Sequence, residues 1–106
     1  MSDLATIAGL PDVRSAVLGD LAGGLHDAVR EPDPETVAAV VGFVASALVQ
    51  AGDELGLGAL RRISVSAAAR GCVVAVHGHS VVTAWVEPRS LAAIETALDG
   101  AGEGRA

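Results

Sequence analysis

The sequence predicts an α+β domain in which a five-stranded antiparallel sheet is covered by helices. Two observations carry this prediction: strand-like runs occur as a group of two and then a group of three, and one long helix of small residues separates the groups. The chain has 106 residues, of which 51% are hydrophobic, enough for the core of one domain. We therefore expect a single domain over residues 1–106.

The first group of elements lies before residue 32. Leu4 and Ile7 predict a short helix within about residues 1–10, closed by Gly9. Two apolar runs, 14–21 and 25–31, flank glycines 23 and 24 and predict a hairpin.

A long helix is predicted to follow. Asp33 is a candidate N-cap, Pro34 suits the first helical position, and Gly56 stops the helix after about Leu55. Aliphatic residues recur at helical spacing, so we expect them on the buried face. They are Val37, Val41, Val44, Leu48, Ala51 and Leu55.

Three strands and a helix complete the predicted order. The loop Gly78-His79 suits a type II′ hairpin turn because glycine accepts a positive φ. Leu91, Ile94 and Leu98 predict a helix over residues 88–99, and residues 100–106 are expected to be frayed. The predicted strands are 61–67, 72–77 and 80–86.

Composition argues against several partners. The formal net charge of -6 repels phosphate, and only two aromatic residues are present, so we expect no nucleic-acid partner. One cysteine fits a reducing cytoplasm. The apolar stretch Val37 to Val49 is too short to span a bilayer, so we expect no membrane insertion.

Catalytic, metal and cofactor sites are not expected either. His77 and His79 supply two ligands around a turn, fewer than a zinc site needs, and Cys72 opens a strand that reads as buried. The glycine turns lack the lysine and hydroxyl residue of a phosphate-binding loop. The sequence therefore favours a non-enzymatic role.

The surface of the long helix is the most informative candidate. With Val37 at the centre of the buried face, the far side consists of small residues, and Gly42 there costs roughly 1 kcal/mol relative to alanine. Small residues on an exposed helix face allow another protein to approach the backbone closely. The alternative is that an alanine-rich composition places alanine on helix surfaces, with no partner involved. In the functional interpretation, a further protein binds to the surface formed by Ala39, Gly42 and Ser46. A second copy of the chain contacts Val40, Phe43 and Ala47 in a dimer.

Several short segments, together with the element order, resemble the roadblock/LC7 family. They are Gly9-Leu10-Pro11-Asp12-Val13, Ala16-Val17-Leu18-Gly19-Asp20, Gly23-Gly24, and Gly56-Leu57-Gly58. The resemblance is to the bacterial type, whose members usually carry a longer N-terminal helix than this chain has room for before Gly9. It implies a profilin-like sandwich, with the long helix on one face of the sheet and the terminal helices on the other.

The resemblance also implies assembly and function. Third strands of two copies pair edge to edge, which adds Arg62, Ser64 and Ser66 to the expected homodimer interface. Edge protection by Arg61 and Arg62 is the alternative interpretation of this strand. The implied function is non-catalytic regulation or adaptation of a Ras-like small GTPase. The alternative is a structural or signalling scaffold subunit in a multiprotein assembly without a GTPase.

Overall fold

The computed structural model describes residues 3–68, 70–87, 94 and 96. Its elements agree with the predicted ones to within a few residues at each end. The predicted helix 88–99 and tail 100–106 lie outside the described residues, apart from Ile94 and Thr96. The elements are α1 (Asp3–Ala8), β1 (Val13–Asp20), β2 (Leu25–Val29), α2 (Pro34–Glu54), β3 (Arg62–Ser66), β4 (Gly71–His77) and β5 (Ser80–Val86).

The five strands form one antiparallel sheet in the order β2-β1-β5-β4-β3. Positive φ angles at Gly23 (92°) and Gly78 (61°) allow the two tight turns that the sequence predicted. Strands β2 and β3 are the edge strands. The α+β class and the five-stranded antiparallel sheet are confirmed.

Helices cover the sheet from opposite sides. Alternate residues of β4 and β5 point to opposite faces, so Val73 and Val82 join one core while Val74 and Val81 join another. The first core is closed by Leu4 and Ile7 of α1 together with Ile94, and the second by Ala45 of α2. The long helix therefore lies on one face and α1 on the other, as predicted.

The buried face of α2 differs from the prediction. Ala38, Gly42 and Ala45 are buried, whereas Val44 and Leu48 are 41% and 40% exposed. The helix is thus rotated by about 100°, one residue step, from the expected orientation. The physical reason is distance: α2 approaches the β1–β2 turn too closely for large side chains, so small residues face the sheet.

Candidate protein-interaction site

Large apolar side chains cover the side of α2 that faces away from the sheet. Phe43 is 75% exposed and Val40 is 56% exposed. A helix face in contact with water alone is normally polar, and contiguous exposed apolar surface usually marks an interaction site. We call this surface the α2 outer face; it comprises Val40, Phe43, Val44, Ala47 and Leu48.

The edge strand β3 lies near the C-terminal half of α2. An open groove of about 560 Å³ separates Leu48 and Leu55 of the helix end from the segment 57–62 that leads into β3. Within β3, Val65 points to the α2 side and is 49% exposed. An apolar helix face and an edge strand therefore border the same part of the molecule.

The six residues predicted to form a self-contact occupy these two features. Val40, Phe43 and Ala47 belong to the α2 outer face, and all three are exposed. Arg62, Ser64 and Ser66 alternate along the edge strand and are exposed as well. Their positions permit the predicted contact, and their role in it remains a prediction.

The predicted outward placement of Gly42 is wrong. Gly42 is buried, and a Cβ atom built on it would lie 2.8 Å from the Cα of Gly23 and 2.9 Å from the carbonyl oxygen of Asp20. Its neighbours in that prediction also border the β1–β2 turn: a Cβ on Gly23 would lie 3.4 Å from the Cα of Ala39, and the Ser46 hydroxyl donates to the Leu21 carbonyl at 2.7 Å. Glycine at position 42 serves helix packing. Ala39 and Ser46 remain exposed, on the flank of the helix.

The β1–β2 turn, on which α2 rests, is held by one carboxylate. Asp20 accepts hydrogen bonds from the backbone amides of Ala22 and Gly24, each at 2.9 Å, and lies 2.7 Å from Nε2 of His26. The Gly24 amide, followed by His26, lowers the pKa of Asp20 below its ordinary value. The charge of Asp20 is thus used to order the turn.

The chemistry of the remaining titratable groups is limited. Among residues 3–68 and 70–87, no group of three or more His, Cys, Asp or Glu residues is placed to hold a metal ion. Burial raises the pKa of the Cys72 thiol to about 11, so it is neutral at physiological pH and a poor nucleophile.

Two leucines after α2 were missed as candidate site residues by the sequence analysis. Leu55 is 72% exposed and Leu57 is 74% exposed, although the pattern placed Leu55 on the buried face. The sequence contained a feature that could have identified them, because apolar residues on both sides of a turn glycine such as Gly56 are unusual. Leu55 and Leu57 extend the exposed apolar surface beyond the end of α2.

Helix α2 also meets the length and composition expected of a membrane span, and it is longer than the stretch Val37 to Val49 considered above. Only 17% of its most apolar 18-residue stretch is buried. The helix is nevertheless fixed to the β1–β2 turn through Gly42 and Ser46. Core helices of soluble proteins share this length and composition, although such helices are mostly buried.

Comparisons with solved structures define the fold. The chain superimposes on a roadblock/LC7 domain from Streptomyces avermitilis with a TM-score of 0.81 and 18% identity, covering 94% of this chain and 88% of that one. It superimposes on Myxococcus xanthus MglB with a TM-score of 0.80 and 16% identity, covering 94% of this chain and 83% of that one. For an MglB with a tetrameric arrangement the TM-score is 0.81 and the identity 18%, covering 95% of this chain and 80% of that one. No family model and no curated protein matches the sequence. The predicted resemblance is confirmed at the level of the fold.

Proposed function

We propose that this chain, whose fold is of the roadblock/LC7 type, is a non-catalytic homodimeric regulator or adaptor of a Ras-like small GTPase in the cytoplasm. The observation that carries the proposal is the α2 outer face beside the edge strand β3. Phe43, the most exposed of the large side chains on that face, is the only phenylalanine of the chain. A large aromatic side chain gains most from burial against another protein.

A second copy of the chain is the occupant that fits both features. An edge strand pairs readily with an identical strand in antiparallel orientation, because a two-fold axis makes the contact self-complementary. The same axis places the apolar helix faces of both copies on the same side of the extended sheet. We propose that the two α2 helices meet there through their outer faces, so that one association combines strand pairing with apolar burial.

The GTPase is proposed from the fold. Regulation of Ras-like GTPases is what the roadblock/LC7 resemblance implies, and MglB structures are among those the chain resembles. The proposed role requires no catalytic group from this chain. A regulator that binds one nucleotide state of a GTPase better than the other shifts its conformational equilibrium through differential contacts alone.

Binding to nucleotide-loaded GTPases tests the proposal. The Ras-like GTPases encoded near this chain in its source genome are purified and loaded with GDP or with a non-hydrolysable GTP analogue. Calorimetric titration is expected to show tighter binding to one nucleotide state, and single-turnover hydrolysis is expected to change when the chain is added. Equal absence of binding in both states, for every such GTPase, contradicts the proposal and favours the scaffold function.

A membrane is the other surface that an apolar helix face can meet. Flotation with neutral and anionic vesicles distinguishes it, because a dimer that buries the α2 outer face is expected to stay in the protein fraction. Co-flotation of the wild type and loss of co-flotation in Phe43→Asp would contradict the proposed occupant of that face.

A further inference from the structure

Among the described residues, α2 crosses one end of its side of the sheet, and at the other end Val65 is 49% exposed while Cys72 is buried and Trp85 is half-buried. Helix α2 crosses the end that carries the β1–β2 turn and the β4–β5 turn, which are joined by a hydrogen bond from the Leu21 amide to the His79 carbonyl. At the opposite end, Val65, Cys72 and Trp85 lie side by side across β3, β4 and β5. The Arg70 guanidinium lies over the indole of Trp85, 4.6 Å from the ring centroid. We call Val65, Arg70 and Trp85 the Trp85 platform.

A protruding apolar turn terminates α2. The Leu57 amide donates to the Gly52 carbonyl at 2.8 Å and the Gly56 amide to the Asp53 carbonyl at 3.2 Å, the two bonds of a Schellman motif. In this motif, the residue in the position of Leu57 usually packs on the side chain in the position of Gly52. Because glycine has no side chain, Leu57 is held by its backbone while its side chain stays exposed. We call Leu55 and Leu57 the leucine knob.

Charged residues flank both surfaces, with Arg61 and Arg62 lining the groove on one side of the knob and two acidic residues on its helix side. Asp53 and Glu54 precede the knob at the C-terminus of α2, where the helix dipole adds partial negative charge. The Trp85 platform carries the cation of Arg70. Within one chain the two surfaces lie near opposite ends of β3, because the knob precedes its first residue, Arg62, and Val65 is close to its last.

The proposed two-fold pairing of β3 brings the surfaces of different copies together. Antiparallel pairing centred on Ser64 sets the first residue of β3, Arg62, opposite the partner's Ser66. A two-fold axis perpendicular to the sheet keeps both α2 helices on the same face. The start of β3, with its leucine knob, then lies beside the end of the partner's β3, with its Trp85 platform.

We infer that the leucine knob of each copy docks on the Trp85 platform of the other, with Asp53 and Glu54 facing the partner's Arg70. This inference rests on the proposed homodimer and specifies how its outer contacts are made. The docking covers the exposed Val65 and both leucines, and it occurs twice per dimer by symmetry. Opposite charges at the rim fix the register of the two copies.

Charge reversal in both partners tests the docking. We expect Arg70→Glu, and separately Glu54→Arg, to raise the dimer dissociation constant about tenfold. The double variant restores opposite charges and is expected to return to within about threefold of the wild type. Glu35→Arg is the matched control: it makes the same charge change in the first turn of α2, and its dissociation constant is expected to stay near that of the wild type.

Trp85 reports on the same contact directly, because the chain has one tryptophan and no tyrosine. Dilution through the dissociation constant is expected to shift its emission to longer wavelength as the platform becomes exposed. In Leu57→Asp, Trp85 is expected to emit at the longer wavelength already at concentrations where the wild type is dimeric, so that dilution causes no further shift. The circular dichroism spectrum of this variant is expected to match that of the wild type.

The outcomes separate this inference from the proposed function. A wild-type dimer with unchanged Trp85 emission on dilution, and no recovery in the charge-reversed double variant, overturns the docking and leaves the dimer intact. A chain that remains monomeric at all concentrations overturns the proposed homodimer and the docking with it.

Discussion

Replacing Gly42 with alanine tests how α2 is seated on the sheet. The new Cβ would lie 2.8 Å from both the Cα and the nitrogen of Gly23 and 2.9 Å from the carbonyl oxygen of Asp20. All three are backbone atoms, which cannot rotate away as a flexible side chain would. The β1–β2 turn or the helix must therefore shift.

Two opposing contributions set the change in the free energy of unfolding of Gly42→Ala. Alanine is favoured over glycine in a helix interior by about 1 kcal/mol, whereas overpacking a tight contact costs about 1–3 kcal/mol. Because the contact is entirely with backbone, we expect the upper part of that range and a net loss of about 1–2 kcal/mol in the free energy of unfolding. Gly42→Arg, which an exposed site would tolerate, is expected to prevent folding.

Gly52→Ala is the matched control in the same helix. The nearest atom to its new Cβ is the Gly58 carbonyl oxygen at 3.4 Å, an ordinary contact. We expect Gly52→Ala to be neutral or to stabilise by up to about 1 kcal/mol. Urea unfolding of the wild type, Gly42→Ala and Gly52→Ala at two protein concentrations separates the free energy of folding from that of association. A Gly42→Ala protein as stable as the wild type would refute the close packing of α2 on the turn.

Three further predictions concern the turn and the core. Ser46→Ala removes the hydroxyl bond to the Leu21 carbonyl and is expected to lower the free energy of unfolding by about 0.5–1.5 kcal/mol in urea titrations, and an unchanged value would contradict the contribution of this bond. Because the pKa of Asp20 is lowered from 3.8 in the folded state, its contribution is present above that pH and is lost as the pH falls through the folded value. The difference in melting temperature between wild type and Asp20→Asn is thus expected to shrink in acid; a constant difference would contradict this. The Cys72 thiol, with a pKa of about 11, is expected to react with a disulfide reagent only after denaturation, and rapid labelling of the native protein would contradict its burial.

Local sequence signals predicted the elements well. Pro34 and Gly56 mark the ends of α2 to within a few residues, and the glycine at position 78 locates the β4–β5 turn. These signals depend on the φ preferences of single residues, which act without tertiary context. The order of elements was therefore sufficient to predict the class of fold.

The orientation of α2 could not be predicted in the same way. Periodicity identifies an apolar face and assumes that it is buried within the same chain. Here Val44 and Leu48 are substantially exposed, while Gly42 contacts the backbone of Gly23, which lies far away in sequence. Apolar residues beside Gly56 mark an unusual turn, but the sequence does not show whether Leu57 is exposed, because an exposed apolar turn and a buried one have the same pattern.

Sedimentation equilibrium of the wild type, Phe43→Asp and Phe43→Leu at micromolar concentration tests the proposed assembly most directly. We expect twice the chain mass of 10.5 kDa for the wild type and for Phe43→Leu, which keeps an apolar side chain. Phe43→Asp is expected to have the mass of one chain, because a carboxylate is not readily buried in an apolar contact. A monomeric wild type, or a Phe43→Asp protein that dimerises as tightly as the wild type, would contradict the assignment of the α2 outer face to a second copy.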